Sequence, residues 1–173
     1  MGLYCDFVAE QEQSTTNMLG AMVKQLVSRG GGIPQHIREA FRKAGKEFGG
    51  RGLLLSDMVE IVKNTIASLP RLFICIDALD ESPAKHRREL LESLQEIVRV
   101  SPNTRVFLTG RPHIDNEIVE YFSKALRIPL SPAHGDIESY LEMRLNSDTD
   151  PHAMDDQFRA DIMRVIPEKV SER

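Results

Sequence analysis

The sequence predicts an α/β domain built on a parallel sheet, and three observations carry that prediction. The run Leu72–Asp77 (Leu-Phe-Ile-Cys-Ile-Asp) is apolar and unbroken until its last position. Runs without alternation are expected of strands buried on both faces of a parallel sheet. A second such run, Arg-Val-Phe-Leu-Thr at residues 105–109, follows a helical stretch. Strand-like runs alternate with helix-period stripes along the chain. Right-handed crossovers turn that alternation into a parallel sheet.

The chain has 173 residues, enough for one domain with a real core. Its 41% hydrophobic and 28% charged content is that of an ordinary globular protein. A net charge of −4 gives no support for nucleic-acid binding. No apolar run approaches the length needed to span a bilayer, and no signal-peptide pattern opens the sequence. Met1-Gly2 begins like a myristoylation signal, but Asp6 stands where Ser or Thr is needed. Cys5 and Cys75 both fall in apolar runs. They read as small buried residues and not as ligands or a disulfide, which fits a reducing intracellular compartment.

The elements follow in order. Residues 3–8 read as a short strand, and Ser14 or Thr15 can cap the helix after it. Met18, Leu19, Met22, Val23, Leu26 and Val27 form its apolar stripe. Glycines 30–32 stop that helix, and Pro34 suits the first turn of the next, with Ile37, Phe41 and Ala44 on one face and His36 solvated. A glycine-rich break at 49–52 precedes a helix begun by Ser56 or Asp57, with Met58, Val62, Ile66 and Leu69 inward. After the Leu72–Asp77 strand, Ser82-Pro83 reads as a cap followed by proline at the first helical position. That helix carries Leu90, Leu91, Leu94, Ile97 and Val98 inward. Lys85, Arg87, Arg88, Glu89, Glu92 and Glu96 form its solvated face. The strand at 105–109 ends in Gly110-Arg111-Pro112, and a helix with Ile114, Ile118, Tyr121 and Phe122 leads to a further strand at 126–130. Asp136 caps a helix bearing Ile137, Tyr140, Leu141 and Leu145. A polar loop at 146–151 and a last helix with Phe158, Ile162 and Val165 complete the chain.

The chemistry gathers where strands leave the core. Asp77, Asp80 and Glu81 follow the first buried run, and Thr109 and Arg111 follow the second. In open parallel sheets ligands sit just beyond the carboxyl ends of strands. Carboxylates there suit Mg²⁺, which prefers one or two carboxylates plus phosphate oxygens and water. The plainer reading is an acidic turn and a surface arginine in a solvated loop.

Asp77-Ala78-Leu79-Asp80-Glu81 resembles the Walker B segment of NACHT-type ATPases, the signal-transducing branch of the P-loop fold. Thr109-Gly110-Arg111-Pro112 resembles their sensor-1 segment. Residues 131–141 (Ser-Pro-Ala-His-Gly-Asp-Ile-Glu-Ser-Tyr-Leu) resemble the lid entry of fungal NACHT and nephrocystin-3-like N-terminal domains. The resemblance implies a three-layer parallel sheet of the P-loop NTPase type, with a core over 1–130 and the start of a helical lid over 131–173. It implies that Asp77 holds Mg²⁺ through water and that Asp80 and Glu81 position or activate the attacking water. Arg111, with Thr109, would bind the terminal phosphate of ATP. It further implies a cytoplasmic module that works through protein partners or self-assembly. His134 is given no role beyond structure.

The phosphate cradle is absent. A P-loop needs Gly-x-x-x-x-Gly-Lys-Ser/Thr after a strand, because backbone amides and the lysine hold the phosphates. Gly45-Lys46 comes nearest, but Ala40 stands at the first glycine position and Glu47 replaces the hydroxyl residue. The expectation is therefore an incomplete sheet. Its P-loop strand would lie upstream of Leu3 and would run between the 105–109 and 126–130 strands. Such a chain should hydrolyse ATP negligibly. Two other readings remain: a non-catalytic interaction module on the same fold, and an unrelated Mg²⁺-dependent hydrolase. The haloacid-dehalogenase form of the latter wants Asp-x-Asp, which Asp77-Ala78-Leu79 fails.

Overall fold

A three-stranded parallel sheet of order β1-β2-β3 organises the first part of the chain in the computed structural model. The strands are β1 (Gly2–Tyr4), β2 (Leu72–Asp77) and β3 (Thr104–Leu108). The helices are α1 (Thr15–Ser28), α2 (Gln35–Glu47), α3 (Leu55–Ile66), α4 (Ala84–Val100), α5 (Asp115–Tyr121), α6 (His134–Asn146) and α7 (Asp156–Ser171). The structure describes residues 1–9, 13–28, 32–47, 53–147 and 154–171. The expected breaks at 30–31 and 49–52, and most of the 146–151 loop, lie outside them. The chain forms two compact units, Met1–Ala125 and Leu126–Arg173.

Register fixes the sheet. Leu72 to Ile76 pair in order with Thr104 to Leu108, and Gly2, Leu3 and Tyr4 lie opposite Cys75, Ile76 and Asp77. α1 packs beside β1, α4 beside β3, and α3 against both helices. The core joins Leu72, Ile74 and Ile76 to Met18, Leu19 and Met22 of α1, Met58 and Val62 of α3, and Leu90, Leu91, Leu94 and Ile97 of α4. The inward stripes read from helical spacing on these helices match the core, except that Val98 of α4 is only half-buried and outside it.

Among the described residues the other face of the sheet is largely exposed, which corrects the expectation of doubly buried strands. Side chains alternate along a strand, so one face of β2 presents Leu72, Ile74 and Ile76 to the core. The opposite face leaves Phe73 45% exposed, with Phe107 at 56% and Tyr4 at 65%. The Phe73 and Phe107 rings tilt together with centroids 6.1 Å apart. Cys75 lies exposed among them, contrary to its expected burial, whereas Cys5 is buried. Among the described residues, helices α1 and α4 pack beside the sheet's outer strands, and a small parallel sheet with helices is what the fold shows.

Other expectations are corrected locally. β1 stops at Tyr4, and a short 3₁₀ turn occupies Phe7–Ala9, because Cys5 N–H already donates to the last β2 carbonyl, Asp77 O, at 3.0 Å. Residues 126–130 form no strand, and Leu126, Ile128 and Leu130 are exposed. A strand without a paired neighbour leaves its amides and carbonyls to water, so apolar alternation alone does not hold one in place. Phe41 is exposed while Ile37 and Ala44 are buried. His36 is half-buried, its Nε2 3.1 Å from Thr65 Oγ1.

Ser82 does not cap α4. Pro83 is the N-cap, and the Ser82 hydroxyl is buried without a protein partner. Ser82 instead closes the 3₁₀ turn Leu79–Glu81, its N–H donating to Leu79 O. Several residues of the expected solvated face of α4 are built into contacts, Arg87 and Glu89 among them. Arg87 pairs with Glu117 of α5 at 2.8 Å. Glu89 accepts from the buried Thr15 hydroxyl at 2.9 Å, which holds its carboxyl below the usual range.

In the second unit α6 and α7 pack together, and α6 buries no residue fully. Ile137, Leu141, Leu145, Ile162 and Val165 are half-buried, but Tyr140 and Phe158 are exposed. α6 begins at His134 with Ala133 as N-cap, so Asp136 sits in its first turn and does not cap it. Among the described residues no helix is long and apolar enough to cross a membrane.

Candidate functional site

Parallel register brings the carboxyl ends of all three strands to one edge. β2 delivers Asp77 there, β3 delivers Thr109 to Arg111, and β1 delivers Cys5. All five residues expected from sequence therefore lie around the ends of two neighbouring strands. They do not form one cluster.

The turn after β2 is held from the end of β3. Ala78 adopts φ 53° and ψ 43°, a left-handed conformation that disfavours any side chain. Two hydrogen bonds to Thr109, the residue after β3, hold the chain there. Ala78 N–H donates to the Thr109 hydroxyl at 2.9 Å, and Leu79 N–H donates to Thr109 O at 2.9 Å. The Thr109 hydroxyl in turn donates to Asp77 Oδ1. Leu79 anchors the turn from below, fully buried.

The three carboxylates face three ways. Asp77 is exposed and bound by Thr109. Asp80 has a side chain only 7% exposed; its Oδ1 accepts Arg111 N–H at 3.2 Å, and its Oδ2 lies 3.5 Å from Arg111 Nε. Glu81 Oε2 accepts from Phe7 N–H at 3.3 Å. Gly110 permits the close approach of the Ile114 side chain. A Cβ there would lie 2.7 Å from Ile114 Cδ1 and 3.4 Å from Asp80 Oδ1. Arg111 is 75% exposed, so its guanidinium reaches Asp80 with one nitrogen and leaves most of its surface in water.

Cys5 is a neighbour that sequence reasoning missed. Burial, then the negative charges of Glu81, Asp77 and Asp80, push its thiol up to about 11. Near neutral pH it is a neutral thiol packed under the acidic edge. Its signal in sequence was topological: a residue just past β1 falls beside the end of β2 once the two strands pair in parallel.

Among the described residues no group of three or more His, Cys, Asp or Glu side chains is arranged to hold a metal ion. A cation caged by protein ligands does not fit this edge. A Mg²⁺ bound mainly by water and phosphate, with Asp77 as its single protein anchor, does fit, since Asp77 is exposed and its orientation is fixed.

Fold and edge define an α/β protein with a parallel sheet whose acids and arginine meet at the strand ends. The chain matches the family described as Nephrocystin 3, N-terminal, over residues 2–111, well over half its length, and it belongs to that family. The matched span begins at β1 and closes on Arg111. No curated protein and no solved structure matches the chain.

Proposed function

We propose that this chain is part of a NACHT-type nucleotide-binding module, carrying the cation-binding and phosphate-sensing strand ends but not the P-loop. One observation carries the reading: Asp77 and Arg111 lie at the same edge of neighbouring parallel strands. The exposed apolar face supports it. Parallel sheets are almost always covered on both faces, and Tyr4, Phe73 and Phe107 are what such a cover would bury. β3 also ends the described sheet, which leaves its outer edge open to a further strand.

In this reading Asp77 anchors Mg²⁺ through water, and Mg²⁺ supplies charge neutralisation at the phosphates of ATP. Arg111 offers a guanidinium to the terminal phosphate. Of the two acids assigned to the attacking water, Glu81 is the better placed. Asp80 is buried and already faces Arg111 with both oxygens. The module acts as a signalling switch through protein partners or self-assembly, in the cytoplasm. A non-catalytic interaction module on the same fold is the second reading, favoured by the engagement of Asp80 and Arg111 with each other.

Calorimetric titration with Mg-ATP tests this. Residues 1–173 should show no tight site, because the amides and lysine of a P-loop are missing. A form extended upstream through a Gly-x-x-x-x-Gly-Lys-Ser/Thr segment should gain one, and Asp77→Asn or Arg111→Ala should weaken it. A micromolar site in residues 1–173, or an extended form indifferent to both substitutions, overturns the proposal.

A further inference from the structure

We infer that Thr109 is a positioning residue for Asp77 and not a ligand of the nucleotide. This deepens the reading above and rests on it for the role of Asp77. A threonine hydroxyl has one proton and two lone pairs. Here the proton goes to Asp77 Oδ1, and Ala78 N–H fills a lone pair at 2.9 Å. The hydroxyl is thereby committed in both directions, to two consecutive residues of the facing turn.

The geometry does two things together. It holds Asp77 Oδ1 against Thr109 and so fixes the orientation of the carboxylate. It also ties down the amide of Ala78, the residue whose left-handed backbone turns the chain away from the strand. The main chain of Thr109 adds to the clamp, since its carbonyl accepts Leu79 N–H at 2.9 Å and its N–H donates to Ile76 O at 3.0 Å. Ligating carboxylates are routinely oriented by such outer hydrogen bonds. Serine could supply the same hydroxyl, whereas valine keeps the shape and loses both bonds.

Thr109→Val and Thr109→Ser test the assignment with two measurements on the intact chain. The first is hydrogen exchange of the Ala78 amide, followed by NMR. The second is broadening of signals around Asp77 by Mn²⁺, with Asp77→Asn as the control that locates the ion. Thr109→Val should speed exchange at Ala78 and weaken Mn²⁺ binding by about 10-fold, the lower end for loss of an outer-shell partner. Thr109→Ser should hold both near wild type, which a merely steric role for Thr109 would not produce. Valine and serine behaving alike, or valine leaving exchange unchanged, overturns the positioning role. Absence of any Mn²⁺ effect in the wild type overturns the cation role of Asp77, and the exchange comparison then decides Thr109 by itself.

Discussion

Asp80 and Arg111 meet across the ends of β2 and β3 in an unequal pairing: the carboxylate is buried and the guanidinium is exposed. Asp80 receives two contacts from Arg111, one from its backbone N–H and one from its side chain. The backbone contact survives any substitution at 111 except proline. Asp80 is therefore tied to β3 by the main chain first and by charge second.

The two partners should then differ in cost. Asp80→Ala leaves Arg111 N–H unpaired beside a small void, and losing a hydrogen bond to a buried charged group costs about 1.5–3 kcal/mol. Arg111→Ala removes an exposed charge and should cost under about 1 kcal/mol. Urea unfolding of the two variants gives the comparison. Equal losses would mean that the side-chain ion pair, and not the amide bond, secures the turn.

Ala78 gives a second expectation. Its left-handed backbone carries a strain that glycine would not feel. Ala78→Gly should be neutral or stabilising by up to about 1 kcal/mol, since relief in the folded state is offset by greater freedom in the unfolded one. Ala78→Val should destabilise by roughly 1–3 kcal/mol, because a β-branched residue tolerates this region worst. Thermal melts that rank valine above glycine would show that the turn is not left-handed in solution.

Most of this architecture was legible because it is periodic. The inward stripes of α1, α3 and α4 follow from 3.6-residue spacing, and the position of β2 follows from an apolar run ended by an acid. Three things were not. The run Leu72–Ile76 reports what its side chains favour, namely cover on both faces, and cannot report that Phe73 and Cys75 lie uncovered. Residues 126–130 alternate like a strand, but pairing depends on a neighbour that local sequence does not encode. The site was legible as a place and not as a set of contacts. Spacing put Asp77, Asp80, Glu81, Thr109 and Arg111 at strand ends, while the pairing of Asp80 with Arg111 and of Thr109 with Asp77 needed the register. The burial of Cys5 was read correctly, but its place beside the acids was invisible for the same reason.

The two thiols should separate cleanly. Cys75 is exposed and Cys5 is buried, so a maleimide at neutral pH should modify Cys75 and spare Cys5 until the chain unfolds. The pH dependence follows from the sign of the shift. The folded-state value for Cys5 is raised from 9.0 to about 11, which favours the protonated thiol in the fold. Its contribution to stability is therefore complete below about 9 and is lost as pH climbs towards about 11. Cys5→Ala should lose less stability than wild type across that window, measured by denaturant unfolding at each pH. Identical alkaline profiles, or rapid labelling of Cys5 in the folded chain, would contradict its burial under the acids.

The exposed sheet face leads to the last prediction, which concerns association. Tyr4, Phe73 and Phe107 expose aromatic surface on one side of the three-stranded sheet. The fold gains nothing from that exposure, and contiguous apolar surface of this kind drives chains together. Burying apolar surface contributes on the order of 25 cal/mol per Å². A few hundred Å² covered between copies would then rival the 5–15 kcal/mol that stabilises a typical domain, and the chain should aggregate at concentrations where it is still folded. β3 adds an open ladder edge that can recruit a strand. Replacing Phe107 by Lys should reduce association without unfolding the chain. Its side chain already meets water, and lysine at a sheet edge is a common guard against pairing. The same change at Phe73 should act in the same direction but less strongly, because β2 lies inside the sheet. Light scattering against concentration reads the association, and circular dichroism reads the fold. A wild-type chain that stays monomeric at high concentration, with a cooperative melt well above room temperature, would show that this face needs no cover. A Phe107→Lys chain that melts early would show instead that the ring supports the sheet from outside, through its contact with Phe73.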